Sequence, residues 1–191
     1  QFICIHNRDE LHLNQTHPGR DWSYHDYRNY SIKSLELAAE QFAKSNYYVV
    51  RVGSQAKEKL ITRNPKIIDY THSGIRSDFL DIYLAFKSKA YFGSESGIAD
   101  SFKIFGKPTY CVNSSLTLLH SLVIGYSGLF TLKHLFNTKK QRKIGLREMF
   151  ELGLRGIART EKFEQSGVKF ISNSNEEVKE FAKDSLYHIE G

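Results

Sequence analysis

Cysteine is nearly missing from this chain of 191 residues: there are two, Cys4 and Cys111, each inside an apolar, strand-like run. They cannot build a disulfide framework and read as small core residues in a reducing compartment, with no disulfide expected. Metal-ligand spacing is missing as well. His12, His17 and His25 form no His-x-x-x-His on a helix and have no cysteine pair beside them, so they make no case for a metal. No apolar run approaches the roughly 20 residues of a membrane span, and the N-terminus lacks the basic-then-apolar layout of a secretory signal. A cytoplasmic protein is the expectation. Methionine occurs once, at Met149, and the chain opens with Gln1 directly in a strand pattern, so it is expected to be a piece of something longer. The densest basic run, Lys139-Lys140-Gln141-Arg142-Lys143, has no interleaved aromatics and reads as a solvated loop rather than a nucleic-acid patch. With no internal repeat or low-complexity tract, 1–191 reads as a single domain.

What is present is a balanced globular composition with a net charge of +6, which suits an anionic ligand or surface. Apolar runs at 2–6, 47–52, 67–70, 90–93 and 108–112 read as buried strands. Helical spacing falls between them: Ile32, Leu35, Ala38, Ala39 and Phe42, a short helix over 56–61, Phe79, Ile82, Tyr83 and Phe86 behind Ser77, and the stretch after Ser96 that stops at Gly106 and Pro108. Such alternation predicts an α/β fold, a Rossmann-like parallel sheet flanked by helices. The segment 116–157 reads as a mainly helical insertion. A last strand at 168–171 precedes a helix opened by the capping box Ser174-x-x-Glu177.

The stretch 90–108 is the centre of the functional reading. A strand, a small polar turn (Ser94-Glu95-Ser96-Gly97) and a helix leave backbone N–H groups unpaired at the positive end of the helix dipole, where an anion can satisfy both. Ser94 and Ser96 add hydroxyls, and Gly97 allows close approach. The plain alternative is an ordinary turn with Ser96 as N-cap. His6 and Arg8 emerge at the carboxyl end of the first strand, where open parallel sheets bind ligands. Arg8 can fork onto a phosphate, or simply pair with Asp9 or Glu10. Residues 11–30, crowded with Asp21, Trp22, Tyr24, His25, Asp26, Tyr27, Arg28, Asn29 and Tyr30, read as a loop ordered over a site. Asp78 and Asp81 in the first turns of their helix favour its dipole, which gives them a bland reading as well as a catalytic one.

The ordered blocks at 2–9 (with His6-Asn7-Arg8-Asp9), 23–29, 48–53, 68–78, 92–97 and 105–108 resemble a bacterial family of glycosyltransferases encoded with surface-polysaccharide genes. More distantly, the His-x-Arg after the first strand is similar to a motif of O-fucosyltransferases, and the 93–108 region to the donor-diphosphate loop of heptosyltransferases. This resemblance implies the C-terminal, donor-binding half of a GT-B enzyme that transfers a hexosyl or deoxyhexosyl group without a required metal. Carried over, Arg8 would neutralise the β-phosphate, Ser94, Ser96 and the Gly97 amide would hold the diphosphate, and Arg28 and Asn29 would contribute from the loop. His6, Arg51, Gly53, Ser77, Asp78, Gly93 and Glu95 lie in the same blocks and complete the expected donor-binding set. Asp9, His25 and Asp26 are the nearest bases for an acceptor hydroxyl, although in GT-B enzymes that residue often comes from the N-terminal domain. The implied partners are a nucleotide-sugar donor, a glycan or glycoconjugate acceptor, an N-terminal GT-B domain of the same chain and the inner face of the membrane. The isolated piece is expected to be inactive. A non-catalytic nucleotide-sugar-binding or interaction domain of the same fold is the alternative.

Overall fold

The computed structural model describes residues 1–115 and 128–191. The first part runs β1 (Phe2–His6), α1 (Leu11–Thr16), 3-10 turns at Ser23–Arg28 and Ile32–Leu35, α2 (Glu36–Lys44), β2 (Tyr48–Arg51), β3 (Ile67–Asp69), α3 (Asp78–Lys87), β4 (Ala90–Gly93), α4 (Gly97–Ile104) and β5 (Thr109–Ser114). The second part runs β6 (Phe130–Leu132), β7 (His134–Asn137), β8 (Arg142–Ile144), α5 (Leu146–Glu151), α6 (Thr160–Gln165), β9 (Val168–Ile171) and α7 (Asn175–Glu190). Strands β1 to β6 pair in parallel in the order β3-β2-β1-β4-β5-β6, the Rossmann-like arrangement with helices on both faces.

Strand residues alternate between two cores. Ile3, Ile5, Phe92, Tyr110 and Val112 face α2 and α7, where Phe92 meets Phe42 at 5.0 Å and Phe181 at 5.6 Å. Cys4, Val50, Val52 and Tyr91 face the other way, onto Ala85 of α3 and Ala99 and Phe102 of α4. Both cysteines are buried in these cores or beside them. Helix α7 begins with the complete capping box predicted from Ser174 and Glu177.

Two local readings need correction. Residues 116–127 of the expected helical insertion lie outside the described residues, but 130–144 holds three strands. Here β7 and β8 form an antiparallel hairpin, and β9 pairs with β7 on its other side. Leu135 and Asn137 are buried, whereas His134 and Phe136 are half-buried, a period of two too short to stand out in the sequence. The turn is held by Asn137 Oδ1, which accepts the N–H groups of Lys139 and Lys140. Met149, Leu154, Phe163, Val168 and Ile144 close a third, smaller core around this sheet. The other correction is 56–61, which is irregular rather than helical. Its backbone is bonded by side chains from elsewhere: Asp9 accepts from Lys57 N, Asp69 accepts from Leu60 N, and Arg51 donates to Glu58 O. Those bonds replace the i to i−4 ladder a helix would need.

Candidate anion-binding site

The strand order reverses direction between β1 and β4, which leaves a crevice beyond their carboxyl ends. A cavity of about 630 Å³ occupies it. Its floor is His6 to Asp9 after β1, Gly53 to Gln55 after β2, and Ser96 to Ile98 at the start of α4; Trp22, His25 and Arg28 form a wall, and Asp78, Asp81 and Ile82 of α3 a rim.

Arg8 and Arg28 define its charge. The Arg8 amide donates to Ser94 Oγ at 2.6 Å, tying β1 to the turn after β4, and its guanidinium donates to Asn29 Oδ1 and to the His25 carbonyl at 3.4 Å. Arg28 Nη2 donates to the Glu95 carbonyl at 2.9 Å. Neither guanidinium forms an ion pair among the described residues; both rest on neutral oxygens. Burial, reinforced by the Arg28 charge, pushes Arg8 down to about 10, still protonated at neutral pH. Two adjacent guanidinium groups without a carboxylate in ion-pair contact thus line one cavity, together with Asp9 and with the rim residues Asp78 and Asp81, which pair with Arg76.

Around them stand buried polar atoms with no partner: Trp22 Nε1, His25 Nδ1 and Ser96 Oγ, all on residues lining the cavity. Ser96 does occupy the N-cap position of α4, with extended backbone, but its hydroxyl makes no capping bond. The ordinary N-cap reading therefore fails at the side chain. At Gly97 a Cβ would project into open space, so the helix start is accessible.

His6 and His25 are held neutral at neutral pH. His6 Nδ1 donates to Val52 O at 2.9 Å, and burial holds the ring down to about 4 in spite of that bond. This leaves Nε2 as an acceptor. Gly53, with φ +142°, keeps this ring in place, because a Cβ there would come within 3.1 Å of Nδ1. His25 packs against Tyr24 at 3.9 Å and stacks over Trp22 at 6.4 Å. Burial and the charges of Arg28, Arg8, Arg20 and Arg159 push it down to about 4.

Other expected site residues serve elsewhere. Arg51 is fully buried and outside the cavity: it donates to Glu58 O at 2.5 Å, Asp69 Oδ2 at 3.2 Å and Asn7 Oδ1 at 3.0 Å. Ser77 caps α3 by accepting from Leu80 N, and Asp78, at the rim, pairs with Arg76. Gly93 sits where a Cβ would lie 2.0 Å from His6 O, so it is there to let β1 and β4 close. Ser94 is buried as the tie to Arg8, and Glu95 is pushed up to about 7 by burial, away from the main cavity. Asn29 reaches the site only through Arg8. Of the three bases, Asp9 lines the cavity but spends one oxygen on Leu11 N and the other on Lys57 N. Asp26 accepts from Asn29 Nδ2, lies outside the lining and is raised by burial. His25 alone lines the cavity with an unpartnered nitrogen.

One positioning residue escaped the sequence. Lys133, after β6, is buried and donates to Tyr27 O at 2.8 Å and Asn29 O at 2.7 Å, fixing the wall that carries Arg28. Burial, with the Arg8 charge, pushes it down to about 8. Its signal was a lone lysine in the one-residue link between the strands Phe130–Leu132 and His134–Asn137, hidden because that stretch reads as helix.

No protein-family model matches the chain, and comparison with curated proteins and with solved structures yields no match.

Proposed function

We propose that the cavity binds the diphosphate of a nucleotide-sugar donor, and that the chain is the donor-binding half of a glycosyltransferase acting on a bacterial surface glycan or glycoconjugate. The observation that carries the reading is the convergence of Arg8 and Arg28, neither paired with a carboxylate, on the open start of α4 at the sheet's switch point. Glycosyl transfer from such a donor builds charge on the departing diphosphate. Fixed guanidinium groups, the Ser96 hydroxyl and the amides at the helix start stabilise that charge with little reorganisation. The acceptor hydroxyl loses its proton as its oxygen bonds to the sugar and the bond to the diphosphate breaks, so a base is also needed. His25 is the residue of this chain that best fits that role, since a diphosphate beside it would raise its proton affinity.

A non-catalytic sugar-nucleotide-binding module is favoured by one observation, the full engagement of Asp9 by two backbone amides. Thermal denaturation with a panel of nucleoside diphosphate sugars separates these readings from neither being right. A ligand present at one hundred times its Kd should add about 2.7 kcal/mol. That is a rise of about 5–11 °C for a domain of this size, and Arg8→Gln should abolish it. No shift with any member of the panel would refute both. Binding without transfer in the protein that carries this chain would leave the module.

A further inference from the structure

We propose that the exposed face of α3, extended by the end of α4, docks on an anionic bilayer surface. Helix α3 turns Leu80, Leu84 and Ala85 to the core, yet Phe79, Ile82, Tyr83 and Phe86 all stand on its exposed side. Those four occupy positions i, i+3, i+4 and i+7, a second apolar stripe on a ten-residue helix. Phe79 is 74% exposed, far more than a residue on the margin of a core. The stripe continues across elements. Phe79 stacks on Tyr83 at 6.1 Å, Phe86 meets Phe105 edge-on at 5.4 Å, and Ile104 beside it is 80% exposed. A contiguous aromatic surface of this kind marks an interaction site.

The charges set among these rings select the occupant. Lys87 Nζ lies 5.0 Å from the Phe86 ring and 6.0 Å from Tyr83, and Lys107 Nζ lies 5.7 Å from Phe86. Nearby acids are already engaged: Asp78 and Asp81 by Arg76, and Asp100 by Lys103. Among the described residues no carboxylate pairs with Lys87 or Lys107. The face is therefore apolar and positive at once. A dry protein interface excludes lysine from its centre, because each ammonium would lose its water. The boundary of an anionic bilayer accepts the same arrangement, with rings among the acyl carbonyls and ammonium groups reaching the phosphates. Helix α3, about 15 Å long, is far too short to span and fits only in the plane of the surface.

The face also touches the cavity described above, since Asp78, Asp81 and Ile82 form its rim. Docking would set the cavity mouth beside the headgroups. The inference does not depend on what the cavity binds.

Co-sedimentation of the chain with phosphatidylcholine vesicles, with and without phosphatidylglycerol, tests it, alongside light scattering for mass in solution. Binding is expected to the anionic vesicles. It should weaken at least about tenfold in F79S/F86S and in K87E/K107E, taking about 1 kcal/mol per surface lysine, with both variants keeping the parent melting temperature. K143E/K162E makes the same change of net charge away from this face and should bind like the parent. Absence of binding to anionic vesicles overturns the proposal, as does equal weakening by K143E/K162E. A dimer in solution that F79S/F86S dissociates, with no vesicle binding, would assign the face to a second copy instead and equally overturn it.

Discussion

Replacing Arg51 by methionine separates a structural arginine from a ligand-binding one. The guanidinium is fully buried and makes bonds of 2.5 Å to Glu58 O, 3.2 Å to Asp69 Oδ2 and 3.0 Å to Asn7 Oδ1. Methionine fills much of the volume but supplies none of the donors. Breaking a buried ion pair by removing one partner costs roughly 3–5 kcal/mol. Asp69 would keep two other donors, Leu60 N at 2.9 Å and His72 Nδ1 at 2.9 Å, so its charge would not be stranded. The lower end applies, about 3 kcal/mol. At 2–4 °C per kcal/mol the melting temperature should fall by about 6–12 °C, measurable by calorimetry. Pyrophosphate should still raise the melting temperature of the variant by nearly the same increment as in the parent. A fall under about 3 °C, or loss of the pyrophosphate increment with the melting temperature intact, would refute the assignment of Arg51 to the framework.

Three further outcomes are expected. His6, lowered from its ordinary 6.5 to about 4, is protonated more readily in the unfolded chain, so its share of stability is complete above about 6.5 and is lost as pH falls toward 4. That share is about 3 kcal/mol. Denaturant titrations of the parent and His6→Asn across that range should converge at low pH, and pyrophosphate should reduce the parent's acid loss. Lys133→Met leaves the carbonyls of Tyr27 and Asn29 without their donor. It should destabilise the protein by about 2 kcal/mol, with amide exchange rising first at 23–29 and pyrophosphate affinity falling. Gly93→Ala puts a methyl group 2.0 Å from the His6 carbonyl, so β1 and β4 must part. A loss of about 3 kcal/mol or more is expected, read as the urea midpoint.

The parallel sheet was legible because buried parallel strands are written as continuous apolar runs, and Phe2–His6 and Ala90–Gly93 are such runs. The carboxyl-end rule then placed His6, Arg8, Ser96 and Gly97 around one cavity. Arg51 misled because its type suggests an anion, whereas its context, a charge between Val50 and Val52, signals burial. Its counter-charge, Asp69, sits directly opposite it on β3, a register no local pattern reveals. In the sequence Trp22 is one member of an aromatic loop. Its role depends on the folding of 11–30 against the cavity, and that follows from tertiary contacts such as Lys133 to Asn29. The 130–144 strands were missed because each is three or four residues long, less than two turns of any helix they might mimic.

The floor and the wall of the cavity belong to different hydrophobic cores. His6, Arg8 and Ser96 ride on the large parallel sheet. The wall is fastened to the small antiparallel one: Tyr27 is wedged between Phe163 at 5.3 Å and Phe170 at 5.5 Å, and Thr160 Oγ1 donates to Ser23 O at 3.0 Å. Local opening of the small sheet would thus dismantle half of the cavity while the large sheet stayed folded. Apparent affinity for any ligand is then scaled by the fraction of molecules in which the small sheet is closed. Substitutions at Met149 or Phe163, which line the small core and not the cavity, should be felt as weaker binding before they are felt as unfolding.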